Sequence, residues 1–154
     1  MYKVLIGIAT LVSIASLNPA LAAEEMMMRH GNHHHEMSAM DTRISLELSP
    51  EMKQHQLSNM RGHVEAVKSI VGLMAEKKFA EASSVAYSQL GLTPEMQSMC
   101  DMFSNENFRK LGYAFHKSGD ELGDVLKTKN VNKSLRALNK TMGYCVECHA
   151  TFRQ

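Results

Sequence analysis

The regular spacing of apolar side chains over residues 131–152 constrains the fold more than any other feature of the sequence. Steps of 4, 3, 4, 3, 4 and 3 separate the members of one series: Val131, Leu135, Leu138, Met142, Cys145, His149 and Phe152. Such steps place side chains along one face of an α-helix. We therefore predict a final helix whose core-facing side carries Cys145 and His149.

The same kind of spacing predicts three long helices and a short helical piece upstream. The first begins at Ser49-Pro50-Glu51, a typical N-cap and first turn, and runs to about residue 78. The second spans 79–90, the short piece 94–103 and the third about 105–127. The expected core residues are Leu57, Met60, Val64, Val67, Val71 and Met74, then Phe79, Ala82, Ala86 and Leu90, then Phe108, Leu111, Phe115, Ser118, Leu122 and Val125. We predict an all-α fold, specifically an antiparallel four-helix bundle.

The first 48 residues are expected to lie outside this bundle. Lys3, the apolar run after it and the small residues Ala20-Leu21-Ala22 form the pattern of a signal peptide over residues 1–23. The apolar run is too short for a stable membrane span. We therefore expect an exported, periplasmic protein that has no membrane span once the signal peptide is removed. Residues 24–48 show no sustained periodicity and are expected to form a disordered arm rich in Met and His, with the helical domain at 49–154.

Charge and composition exclude several classes of function. Without Lys3 the chain has 16 basic residues (17 − 1) and 16 acidic ones, so no basic field favours nucleic acid. No carboxylate pair, nucleophile triad or phosphate-binding loop indicates an enzyme. His55 and His116 are expected to be solvated helix residues.

The segment Cys145-Val146-Glu147-Cys148-His149 has the spacing at which haem c is covalently attached. Residues i, i+3 and i+4 lie on one side of a helix, so two thiols can reach one porphyrin edge while the histidine ligates the iron. A thioredoxin-like redox pair needs a βαβ setting, and a zinc site needs two further ligands at similar spacing; neither pattern is visible. A disulfide between Cys145 and Cys148 would leave His149 unexplained. One covalent haem c is predicted, near the C-terminal end of the fourth helix.

Four helices with this motif at the C-terminus resemble the class II c-type cytochromes, the cytochrome c-prime family. The ending Cys145-Val146-Glu147-Cys148-His149-Ala150-Thr151-Phe152-Arg153 is similar to that of the family, in which an aromatic residue and an arginine commonly follow the haem histidine. The resemblance covers about residues 49–154. It implies a one-electron carrier with a redox partner protein, and it allows a homodimer through the first two helices. Arg153 either contacts a haem propionate or is solvated.

Members of that family differ in the group on the distal side of the iron, which comes from the first helix. Some leave the sixth position open and bind nitric oxide or carbon monoxide, and others supply a methionine. Aligning residues 73–79 with the corresponding family segment implies that Met60 is distal. The spacing argument reaches the same residue, because the first helix starts near the end of the fourth in an antiparallel bundle. His63 is the alternative ligand. Apolar walls are expected from Leu57, Val64, Leu111, Phe115 and Met142.

Copper binding is the alternative function. Thioether sulfur suits Cu(I) and imidazole suits Cu(II). The arm supplies Met26, Met27, Met28, His30, His33, His34, His35, Met37 and Met40. A second soft-donor group is expected on one helix face at Met96, Met99 and Cys100. Cys100 is otherwise expected to be a buried thiol, or to form a disulfide between two copies of the chain.

Overall fold

The computed structural model describes residues 41–154, and these residues are mostly helical. The elements are, in chain order, β1 (Ile44–Ser45), α1 (Pro50–Ala75), α2 (Phe79–Val85) with a π-helical turn after it (Ala86–Leu90), α3 (Pro94–Asp101), α4 (Glu106–Lys127), α5 (Val131–Thr151) and β2 (Phe152–Arg153). The all-α prediction is confirmed. No helix in this part of the chain is both long and apolar enough to cross a membrane.

Side-chain caps determine where the helices begin. The Ser49 hydroxyl accepts a hydrogen bond from the Met52 N–H at 3.2 Å, with Pro50 in the first turn, as predicted. Asn130 caps α5 in the same way, accepting from the Lys133 N–H at 2.9 Å. These caps satisfy backbone donors that have no partner inside the helix.

The second helix packs as the sequence predicts. Phe79, Ala82, Ala86 and Leu90 are all buried in the main apolar core, together with Leu122 of α4. The π-helical turn that ends this segment was not predicted. Its residues pack directly on α4, where Gly119 allows the Leu90 backbone to approach closely and Gly123 leaves room for the Tyr87 ring.

The predicted core face of α1 is wrong in part. Val64 is 70% exposed and Val71 is also exposed, whereas Gln56, Ala66 and Ile70 are buried. The helix has two apolar stripes, and α2 packs on the stripe that contains Ala66, Ile70 and Met74. Because Ala66 is small, this stripe allows a closer approach than the larger valines would.

The predicted core face of α5 is also displaced. Val131, Leu135 and Met142 are exposed, although Leu138 and Phe152 are buried as expected. Ser134 and Thr141 take the innermost positions instead. The Thr141 hydroxyl lies 3.1 Å from the Ser118 hydroxyl and 3.2 Å from the Ser118 carbonyl, so hydrogen bonding joins α5 to α4 at close range. Apolar spacing alone cannot reveal an inner face made of small hydroxyl residues.

Residues 42–48, which we call the strap, belong to the compact unit, although they fall within the segment that the sequence predicts to be a disordered arm. The compact unit begins at Thr42. Within the strap, β1 pairs in parallel with β2, Ile44 opposite Phe152 and Ser45 opposite Arg153. Pairing with residues more than 100 positions away leaves no local signal in the sequence. The predicted signal peptide and the rest of the arm lie outside the described residues.

Candidate functional site

A cavity of about 390 Å³ lies between α1, α3, α4 and the C-terminal end of α5. Every predicted site residue within 41–154 is part of the cavity wall. These residues are Met60, His63, Met96, Met99, Cys100, Cys145, Cys148, His149 and Arg153. The fold therefore brings together side chains that are up to 93 positions apart in the sequence (153 − 60).

The two cysteines of the motif are free thiols on one side of α5. Both are half-buried, and the Cys145 thiol lies 4.0 Å from the Thr141 carbonyl that it faces one turn earlier. Burial raises the pKa of Cys145; burial, with Cys145 and Glu147 adding to it, raises the pKa of Cys148 to about 11. Both thiols are therefore protonated at neutral pH.

His149 follows Cys148 directly, and its side chain is exposed at the cavity edge. Arg153 is also exposed and lines the same edge. The backbone carbonyl of His149 accepts a hydrogen bond from the Arg43 guanidinium at 3.3 Å. An imidazole in this position is accessible to a ligand that enters the cavity.

Met60 and His63, both half-buried on α1, line the cavity as well. Because they lie three residues apart, they are neighbours on the helix surface. The His63 ring packs 4.8 Å from the Phe115 ring and 5.5 Å from the His116 ring, centroid to centroid. Both the thioether and the imidazole therefore lie at the cavity wall.

His116 was expected to be solvated and is instead only 5% exposed. Its Nδ1 donates a hydrogen bond to the Leu90 carbonyl at 3.0 Å, and its ring lines the cavity. Burial lowers the pKa of His116, against opposing contributions from the Leu90 and Gly91 backbone and from Asp120. The signal that could have found it is the stripe Gly112, His116, Gly119 and Gly123, because small residues at helical spacing mark a face packed against a neighbour.

The second soft-donor group, Met96, Met99 and Cys100, forms part of the cavity wall on α3, as its predicted common face requires. Met99 and Cys100 are buried, and the Asn59 side-chain amide donates to the Met99 sulfur at 2.8 Å. Burial raises the pKa of the Cys100 thiol, with Asp101 adding to the effect. Cys100 is thus a buried thiol.

The arm residues Met26, Met27, Met28, His30, His33, His34, His35, Met37 and Met40 lie outside the described residues.

Most of the cavity wall is apolar, and the sulfur and imidazole groups lie around it. Val64, Phe115 and Met142 line the cavity as expected, whereas Leu57 and Leu111 are not among its walls. Within residues 41–154, no group of three or more His, Cys, Asp or Glu side chains is arranged to hold a metal ion. Two protonated thiols, an accessible imidazole and a thioether around one apolar cavity fit a covalently attached haem.

Replacing His63 with glutamine is expected to flatten the pH dependence of stability. Burial, followed by the charge of His116, lowers the His63 pKa from 6.5 to about 4. Between these two values the unfolded chain binds more protons, so the free energy of unfolding rises as pH increases from 4 to 6.5 and then levels off. Partial exposure reduces this contribution to about 2 kcal/mol.

Urea unfolding at pH 4.5 and pH 7 measures this dependence. His55→Gln is the matched control, since His55 lies on the exposed side of the same helix. Equal pH dependence in the two variants would mean that the folded protein does not hold His63 neutral.

No family model, curated protein or solved structure matches this chain.

Proposed function

We propose that this protein is a periplasmic haem c protein that carries one electron at a time, with His149 and Met60 as axial ligands. It would belong to the class II c-type cytochromes, with the helices forming an antiparallel four-helix bundle. One observation carries the proposal. The thiols and imidazole of the motif on α5 and the Met60 thioether on α1 line the same apolar cavity.

Cys145 and Cys148 would attach the haem. Each thiol would add across one vinyl group, so that an S–H bond is replaced by a C–S bond and the hydrogen goes to the neighbouring vinyl carbon. Such an addition needs no oxidant or reductant.

His149 and Met60 would hold the iron, whose ferric–ferrous couple supplies the one-electron chemistry when haem is bound. A histidine–methionine pair raises the reduction potential relative to two histidines. Because both side chains would stay bound when the iron changes between the ferric and ferrous states, little rearrangement would accompany electron transfer. Val64, Phe115 and Met142 line the cavity and would give the haem apolar contacts.

Two variations of this proposal differ on the distal side. If Met60 does not bind the iron, the sixth position is open and the protein binds nitric oxide or carbon monoxide. If His63 binds it, both axial ligands are imidazoles. Because Met60 and His63 both line the cavity, spectra of Met60 variants are needed to identify the distal ligand.

The motif cysteines can be tested by a double substitution. We expect the unmodified protein, made with its signal peptide in a host that attaches haem c, to retain haem on a denaturing gel. Cys145→Ser with Cys148→Ser should lose this covalent haem entirely. Cys100→Ser is the matched control, because Cys100 lines the same cavity outside the motif and should keep it. Absence of covalent haem from the unmodified protein would refute the proposed function.

Copper binding is the second candidate, favoured by the sulfur atoms of Met96, Met99 and Cys100 on one wall. The arm extends this soft-donor chemistry in the sequence. We expect Cu(I) competition titrations to give a weaker affinity for a protein with Met96→Leu and Met99→Leu than for the unmodified protein. A peptide of residues 24–40 tests the arm, against a scrambled peptide. Equal affinities in both comparisons would remove copper from the function.

A further inference from the structure

The strap joins the start of the helical domain to the end of α5. In addition to the β1–β2 pairing, the Leu46 N–H donates to the Arg153 carbonyl at 3.0 Å. Glu47 then has φ of 50°, a left-handed conformation that turns the chain into the Ser49 cap of α1. The strap is therefore fixed to the end of α5 and leads directly into α1, and residues of both helices line the cavity.

Arg43 of the strap binds the last turn of α5. The final carbonyls of a helix have no partner inside it. The Phe152 N–H satisfies the Cys148 carbonyl, and the Arg43 guanidinium donates to the carbonyl of His149 at 3.3 Å. A cation at this end also interacts favourably with the helix dipole.

The position of His149 makes this contact consequential. It lies two residues before the end of α5, in the turn where helices fray. Within residues 41–154, no hydrogen bond holds its imidazole. Histidines that bind metals usually have the second ring nitrogen held by a partner, which fixes the ring. The orientation of the His149 ring therefore depends on the backbone of the last turn of α5.

The core side of the same turn is already fixed. Phe152 is buried, and its ring meets the Phe108 ring edge-on at a centroid distance of 5.2 Å; Phe108 in turn meets Phe103 at 4.6 Å. This aromatic row anchors the chain just beyond the helix. Arg43 acts on the solvent side, on the peptide group of His149 itself.

We propose that Arg43 is a positioning residue for His149. By holding the His149 carbonyl, it keeps the last turn of α5 helical and limits the directions of the imidazole toward the iron. This role rests on the proposed haem function.

The test compares three variants of the haem-loaded protein. In Arg43→Ala we expect amide exchange over residues 149–152 to be about fivefold faster, as for the loss of one hydrogen bond. The low-spin ferric EPR signal should broaden as the ring orientation becomes less uniform. Arg43→Lys should restore the narrow signal, since an ammonium can also donate to the carbonyl. Arg136→Ala is the control, because it removes an exposed arginine of α5 that does not line the cavity.

A merely structural role would shift the melting temperature without changing the EPR signal. If Arg43→Ala and Arg136→Ala give the same spectrum and exchange, the positioning role is wrong while the haem function stands. If the unmodified protein contains no haem, the proposed function fails and this inference fails with it.

Discussion

Replacing Met60 with alanine is expected to change the ferric haem from low-spin to high-spin and to create a carbon monoxide site in the ferrous protein. Met60 lines the cavity from α1, and Cys145 and His149 line it from α5. Removal of the thioether leaves the iron with one strong axial ligand, and a small gas can then take the sixth position. Optical spectra in both oxidation states, with and without carbon monoxide, measure the change.

Two further variants separate ligation from packing. Met60→Leu keeps most of the side-chain volume but removes the sulfur, so it should also be high-spin while binding carbon monoxide more slowly. Met74→Ala removes a buried methionine of the same helix outside the cavity walls and should remain low-spin. An unchanged Met60→Ala spectrum would transfer the ligand role to His63. A high-spin, gas-binding unmodified protein would favour the open-site alternative.

The parts of the fold that follow local rules were predictable from the sequence. Ser49 and Pro50 give the start of α1, and Phe79, Ala82 and Ala86 give the buried side of α2. The grouping of Met60 with Cys145 around one cavity is consistent with the expected neighbourhood of the first and last helices. These features depend on residues that are close in sequence or on large-scale helix order.

The features that were missed depend on contacts between distant residues. Apolar spacing selects the wrong stripe on α5, because Ser134 and Thr141 are small enough to pack closely on α4 and the larger Leu135 is left 49% exposed. The strap is stabilised by β2, not by its own sequence pattern. His116 is buried because its partner is the Leu90 carbonyl, the last residue of a π-helical turn that no spacing rule predicts.

Replacing Gly119 with alanine is expected to destabilise the protein by about 2 kcal/mol, which corresponds to a fall of about 10 °C in melting temperature. A Cβ at this position would overlap the Leu90 carbonyl oxygen and lie 2.9 Å from the Leu90 Cβ. Backbone atoms on the other side cannot move away as a flexible side chain would. The resulting displacement outweighs the roughly 1 kcal/mol that alanine normally adds to a helix.

Gly72→Ala is the matched control for this prediction. It is also a helical glycine, but no atom outside its own stretch of helix lies within 4 Å of the position that its Cβ would take. This substitution should therefore raise the free energy of unfolding by up to about 1 kcal/mol. Because His116 donates to the same Leu90 carbonyl and lines the cavity, only Gly119→Ala should also disturb the site. Equal stabilisation by both alanines would show that α4 and the π-helical turn are not in close contact, and the position of His116 would then lose its explanation.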